Sequence, residues 1–260
     1  MDLGLSGRTA LITGGSKGIG FGCARALAAE GCRITLAARD PDALAAAAET
    51  LRGEGADVSV QAVDLSASGS ADALLDAAGL PDILVNNAGA IPGGDVGAVD
   101  EARWREAWDL KVFGYINLCR AAYAGMKARG DGTIVNVTGL AADKPDFNYI
   151  AGTAGNASLN AFTRALGSYA LEDGIRVVAV SPGAVATERL IGLLRTRAEA
   201  ETGDPERWQS MLSELPKGRA ATVEEVADVV AFMASPRAGW VTGTVVTVDG
   251  GHGVRGGSFR

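Results

Sequence analysis

Residues 9–20 read Thr-Ala-Leu-Ile-Thr-Gly-Gly-Ser-Lys-Gly-Ile-Gly, a short apolar run that ends in a glycine-rich turn and passes directly into a helical stretch ending near Glu30. Such a turn between a strand and a helix presents free backbone N–H groups at a helix N-terminus, a ready site for a pyrophosphate. Its glycines permit a tight bend and close approach of the ligand. Gly14, Ser16, Lys17, Gly18, Ile19 and Gly20 are therefore candidate nucleotide-binding residues. Outward from this stretch the same alternation repeats. Apolar runs at 9–13, 33–37, 58–63, 83–86, 133–137, 176–180 and 244–248 are mostly separated by helical segments, the pattern of a parallel sheet covered on both faces.

The expected fold is α/β, a single-domain Rossmann-type doubly wound parallel sheet of about seven strands with helices on both faces. Composition agrees. The chain has 260 residues, 47% of them apolar, enough to fill one core. It carries 31 acidic against 24 basic residues, a net charge of −7, and the cations are scattered, which argues against a nucleic-acid partner. No apolar run approaches the roughly 20 residues that span a bilayer, and the first strand begins too early for a signal peptide, so a soluble cytoplasmic protein is expected. Cys23, Cys32 and Cys119 lie far apart and His252 is the single histidine, so disulfides, a metal site and a Ser-His hydrolase are not expected.

Residues 188–220 break the rhythm after the sixth strand. Two amphipathic pieces, around 190–200 and 206–215, are joined by Gly203-Asp204-Pro205. An insertion here lies over the carboxyl ends of the strands and is read as a substrate lid within the single domain 1–260. Leu190, Ile191, Leu194, Trp208, Met211 and Leu212 fit either an apolar cover over a hydrophobic substrate or ordinary helix packing. Arg189, Arg195, Arg197, Arg207 and Arg219 are interleaved with Glu188, Glu199, Glu201 and Glu206. A solvated helix face explains them better than a surface for an acidic carrier thioester.

The second strand ends Ala37-Ala38-Arg39-Asp40. An NAD site places a carboxylate there against the ribose 2′-hydroxyl, whereas a guanidinium suits a 2′-phosphate. Lys17 is a second cation in reach of the same phosphate. Asp40 either pairs with Arg39 or caps a helix beginning at Pro41, and capping is favoured. NADP(H) is expected ahead of NAD(H).

The 13–20 turn, Asp64-Leu65 after the third strand, Asn86-Asn87-Ala88-Gly89 after the fourth, Pro182-Gly183 with Thr187 after the sixth, and Val248-Asp249-Gly250-Gly251 near the end resemble the short-chain dehydrogenase/reductase family over nearly the whole chain. The resemblance implies that Asp64 and Leu65 flank the adenine, that Asn87, Ala88 and Gly89 line the ribose, and that Pro182, Gly183, Val185 and Thr187 hold the nicotinamide carboxamide. It also implies a homotetramer or homodimer, paired through helices at 105–128 and 152–170 and the last strand.

Members of this family interconvert a carbonyl and an alcohol with a Tyr acid, a Lys four residues later, a Ser thirteen residues before the Tyr, and an Asn on an earlier helix. Counting without gaps from the Asn86 turn, with Trp104 as a checkpoint, the Asn position falls on Lys111 and the Ser position on Gly139. Counting back from Pro182, the Lys position falls on Asn156 and the Tyr position on Gly152, thirteen after Gly139. Asn and Lys are thus exchanged between two helices, and both the hydroxyls are absent. Tyr149 precedes Gly152 by about one helical turn, if the helix extends that far, and its ring has space to lean where Gly152 lacks a side chain. The expected catalytic set is Lys111 for charge, Tyr149 for the proton and Asn156 for a hydrogen bond, with Thr138 a minor candidate for the missing hydroxyl. Three functions stay open: an NADP(H)-dependent oxidoreductase with a rearranged site, a cofactor-binding sensor or scaffold without turnover, and proton abstraction or dehydration in the same pocket.

Overall fold

Period-two alternation within each apolar run assigns neighbouring side chains to opposite faces of one sheet. In the computed structural model, which describes residues 1–255, the strands are β1 (Thr9–Thr13), β2 (Arg33–Ala38), β3 (Val58–Ala62), β4 (Ile83–Asn86), β5 (Gly132–Val137), β6 (Ile175–Pro182) and β7 (Thr244–Val248). They form a single sheet in the order β3-β2-β1-β4-β5-β6-β7, parallel throughout. Ile12, Leu36, Val85, Val135 and Val178 point to a core shared with α1 (Gly18–Ala29), α2 (Pro41–Gly53) and α8 (Val223–Ala234). Their neighbours Leu11, Leu84, Ile134 and Val177 point to a second core under α3 (Ser70–Ala78), α5 (Gly114–Arg129) and α6 (Ile150–Ala170). The fold expected from the sequence is the fold observed, with strand ends shifted by no more than two residues.

Strand order reverses between β1 and β4, and this is where an open parallel sheet leaves a crevice at its carboxyl edge. Two local departures position residues around that crevice. Helix α4 (Glu101–Trp108) does not run straight into α5: a π-helical turn, Asp109–Phe113, lies between them and contains Lys111. Such a turn inserts a residue and re-aims the side chains on it, and it is frequent at functional sites. In the 188–220 region, α7 (Glu188–Thr202) is longer than the first amphipathic piece suggests and ends at Gly203 in a left-handed cap. The second piece is not an α-helix reaching residue 215. It is a 3-10 helix, Pro205–Leu212, started by the Asp204 side chain and packed back on α7. Proline at its first position fixes the opening turn, and the tighter 3-10 winding tolerates only a short run. Arg195, Arg197 and Arg219 pair with Glu206, Glu201 and Glu225, as a solvated face requires.

All three cysteines are free and buried. Among the described residues no helix is long and apolar enough to cross a membrane.

One buried charge ties the sheet to its last helix. Arg176 on β6 is 6% exposed, and its guanidinium donates to the carbonyls of Met233, Ala234 and Ser235 at 2.7, 3.1 and 2.9 Å and to Thr133 Oγ1 at 3.1 Å. These are the carbonyls that α8 leaves without intrahelical partners. Arg176→Ala is expected to lower unfolding free energy by about 2–4 kcal/mol, because it strands buried acceptors as well as removing hydrogen bonds; urea denaturation followed by far-UV circular dichroism measures the loss.

Candidate active site

The crevice is built from backbone outward. Gly14 and Gly18 adopt positive φ of 64° and 56°, a region that side chains rarely enter, and this folds the turn back over β1. A Cβ on Gly20 would overlap the Gly14 carbonyl and the Asn87 amide, so the helix can start this close to the strand only without a side chain there. Thr13 Oγ1 accepts from the Asn87 and Ala88 N–H groups at 2.9 and 3.1 Å, and Asn87 Nδ2 donates back to the carbonyls of Thr13 and Gly14 at 3.1 and 3.3 Å. The ends of β1 and β4 are thereby fixed to each other, with the first-turn N–H groups of α1 opening toward the crevice.

At the end of β2 the Asp40 carboxylate accepts from Asp42 N and Ala43 N at 3.0 and 3.1 Å and caps α2. The capping reading holds, and Arg39 is left exposed. Among the described residues neither Arg39 nor Lys17 forms an ion pair. Asp64 accepts from the Ser66 N–H and hydroxyl at 3.0 and 2.7 Å; these hydrogen bonds hold its carboxyl below the usual range, with Arg39 adding to the effect. Leu65 is buried. On the other side, Pro182 ends β6, Gly183 N donates to Val248 O at 3.0 Å, Val185 bridges to Ala221, and Thr187 caps α7. The Thr187 methyl stands 3.4 Å from where a Cβ on Gly18 would be, so the start of α7 meets the glycine-rich turn. This cradle of glycines and unpaired cations fits a dinucleotide carrying an extra phosphate, and Gly14, Ser16, Lys17, Gly18, Ile19, Gly20 and Arg39 are the residues that would hold its phosphates.

The three residues expected to do chemistry fall in one chain of contacts. Lys111 runs along Gly89, where a Cβ would stand 2.7 Å from its Cδ. Its ammonium reaches the Thr138 carbonyl at 3.4 Å and lies 5.7 Å from the Tyr115 ring centroid. Residue 139, next along the backbone, faces Asn156: a Cβ on Gly139 would be 3.3 Å from Asn156 Nδ2. Asn156 Nδ2 donates to Gly152 O at 2.8 Å, and its Oδ1 is buried without a partner among the described residues. A Cβ on Gly152 would overlap the Tyr149 ring, so that ring fills the volume a side chain at 152 would take. The helix does not extend to Tyr149, as a one-turn spacing assumed: Tyr149 is the N-cap of α6, with φ −140° and ψ 39°. It reaches Gly152 because the cap backbone, neither helical nor extended, turns the ring back over the first turn. Thr138 Oγ1 is also buried without a partner.

Burial, assisted by the nearby charge of Arg189, pushes the Lys111 ammonium down to about 8. Burial pushes the Tyr149 hydroxyl up, with Arg189 opposing. Arg189, which the sequence reading placed on a solvated face, is exposed, and its guanidinium also donates to Ile91 O at 2.9 Å. Its place two residues after Thr187, in the first turn of the lid helix, was the available signal.

Against known proteins, residues 14–253 match the family model described as Enoyl-(Acyl carrier protein) reductase, and the chain belongs to the short-chain dehydrogenase/reductase family. It is 37% identical to galactitol 2-dehydrogenase (L-tagatose-forming) of Cereibacter sphaeroides over 96% of each chain. It is 31% identical to 2-keto-3-deoxy-L-fuconate dehydrogenase of Xanthomonas campestris, over 95% of this chain and 80% of that one. Its fold superposes on L-sorbose reductase of Gluconobacter frateurii, solved with NADPH and L-sorbose, with a TM-score of 0.91 at 34% identity, covering 96% and 98% of the two chains.

Because Lys111 holds its proton less tightly when folded than the ordinary 10.5, the unfolded chain binds the extra proton between about pH 8 and pH 10.5. Stability from this group therefore rises with pH across that window, and at neutral pH its buried charge is a net cost. Lys111→Met is expected to stabilise the protein at pH 7 by about 1–3 kcal/mol, with the gain shrinking as pH passes 8; thermal melts at stepped pH measure it, and a destabilised variant at pH 7 would contradict the burial.

Proposed function

We propose that the chain is an NADP(H)-dependent oxidoreductase that interconverts an alcohol and a carbonyl through Lys111, Tyr149 and Asn156. The observation that carries this reading is the Tyr149 ring in the volume left by Gly152, in the same cluster as Lys111 and Asn156. Bound nicotinamide would supply or accept the hydride. In the reducing direction the carbonyl oxygen gains negative charge and needs a proton. Tyr149, whose hydroxyl stays protonated well into the alkaline range, donates it. Lys111, charged below about pH 8, stabilises the developing oxyanion. The unpartnered Oδ1 of Asn156 accepts a hydrogen bond from substrate or cofactor hydroxyl and holds it in register. Among the reported relatives, L-sorbose reductase is a complex with NADPH, which supports the cofactor drawn from Arg39 and Lys17.

Carbonyl reduction should therefore fall as pH rises through about 8, and this limb should vanish in Lys111→Met, whose turnover drops by about 100-fold or more while NADPH binding, read by nicotinamide fluorescence, is retained. Turnover unchanged in that variant would leave the reading without its charge. Retained binding with no turnover in the wild-type protein on any carbonyl would favour a cofactor sensor. Arg39→Asp should weaken NADPH binding by about tenfold or more and leave NADH binding nearly level or improved.

We also infer self-association. A cavity of about 390 Å³ along α4 and the π-helical turn is lined by Trp104, Trp108 and Phe113 together with the charged Glu101, Arg105 and Asp109, and Phe113 is 50% exposed. This aromatic patch with a charged rim overlaps the 105–128 segment through which the family resemblance implies pairing.

A further inference from the structure

We propose that Arg189 is a specificity residue that binds the carboxylate of an anionic substrate, an oxo or hydroxy acid whose carbonyl or hydroxyl oxygen lies between Tyr149 and Lys111. The chemistry rests on the hydride-transfer reading above; the anion binding does not. Arg189 stands in the first turn of the lid helix, two residues after the Thr187 that meets the glycine-rich turn. Its guanidinium spans from the lid to the loop after β4 through the 2.9 Å hydrogen bond to Ile91 O. The Ile91 side chain is buried in a cluster with Ala107, Ala151, Trp104 and Tyr149, and it also lies 3.3 Å from where a Cβ on Gly155 would stand. The guanidinium, exposed to solvent, is thus held beside the Ile91–Tyr149 cluster.

Charge bookkeeping around that pocket points the same way. Lys111 and Tyr149 both feel the Arg189 charge, yet among the described residues neither Lys111 nor Arg189 has a carboxylate partner. Arg195 and Arg197 of the same helix, by contrast, are paired with Glu206 and Glu201. Glu188 is adjacent in sequence but forms no ion pair with Arg189. A guanidinium has five N–H donors in a planar fork, and only the hydrogen bond to Ile91 O is made among the described residues. The half-buried Lys111 ammonium and the exposed Arg189 guanidinium are like charges that act on each other, and an anion placed between them removes that cost. A carboxylate matches the fork in geometry and charge.

The test uses the full chain with NADPH and a panel of short and medium-chain 2-oxo and 3-oxo acids, each paired with its methyl ester. Binding is read by quenching of nicotinamide fluorescence and turnover by NADPH oxidation. At least one acid is expected to bind about tenfold or more tightly than its ester, the discrimination of one charge-assisted pair. Arg189→Gln should erase that acid-over-ester ratio through KM, and Arg189→Lys should restore part of it. A residue that merely latched the lid to Ile91 would, when replaced, weaken acid and ester alike, and this result overturns the proposal. Equal binding of acids and esters by the wild-type protein also overturns it, as does loss confined to NADPH itself. Acids that bind with the expected ratio but leave NADPH unoxidised would keep Arg189 as the anion site and remove the hydride-transfer reading instead.

Discussion

Thr13 and Asn87 close the ends of β1 and β4 on each other, and the functional end of the molecule depends on that closure. The Thr13 hydroxyl takes two backbone N–H groups from the turn after β4, while the Asn87 amide takes two carbonyls from the turn after β1. Strand order reverses at this point, so the helices on either side diverge and leave a crevice. The Thr13 hydroxyl and the Asn87 amide, which would be costly to bury unpaired, are both paired here. The glycine-rich turn, the start of α1 and the Gly89 backbone that Lys111 packs on are therefore fixed relative to one another before any ligand arrives. Behind them Asn86, Asn136 and Thr163 continue the ladder through 2.9 and 3.0 Å hydrogen bonds, which ties β4 and β5 to α6.

On this frame, small residues decide where the reactive groups sit. Gly139 makes room for the Asn156 amide, Gly152 for the Tyr149 ring and Gly89 for the Lys111 stem. A Cβ at Gly152 or Gly89 would overlap its neighbour, and one at Gly139 would only touch the Asn156 amide. The proposed function rests on these contacts, which bring a phenol, an amide and an ammonium into one cluster. The π-helical turn at Asp109–Phe113 contributes to the same arrangement, because it sets the direction in which Lys111 leaves its helix.

Most of this was legible in the sequence because it is carried by local patterns. Alternating apolar runs gave the strands, and Asp40 followed by Pro41 announced the cap that leaves Arg39 free. The pairing of Tyr149 with Gly152 was visible as a spacing, although the ring arrives from the N-cap rather than from a helical turn. What stayed hidden depends on tertiary contact. Arg189 looks like one more charge on an interleaved helix until Ile91 is seen across the crevice. Arg176 looks like a strand-edge charge until the end of α8 is placed over it. The 3-10 winding of Pro205–Leu212 is set by packing on α7, and its apolar spacing reads equally well as an α-helix.

The most direct test is a crystal structure with NADP⁺ and a bound carbonyl ligand. The rearranged site predicts the Tyr149 hydroxyl or the Lys111 ammonium within about 2.6–3.2 Å of the ligand's oxygen, on the nicotinamide side of the crevice. A cofactor bound as expected, with Lys111 turned to solvent and the Tyr149 hydroxyl directed away from the nicotinamide, would contradict hydride transfer through these residues.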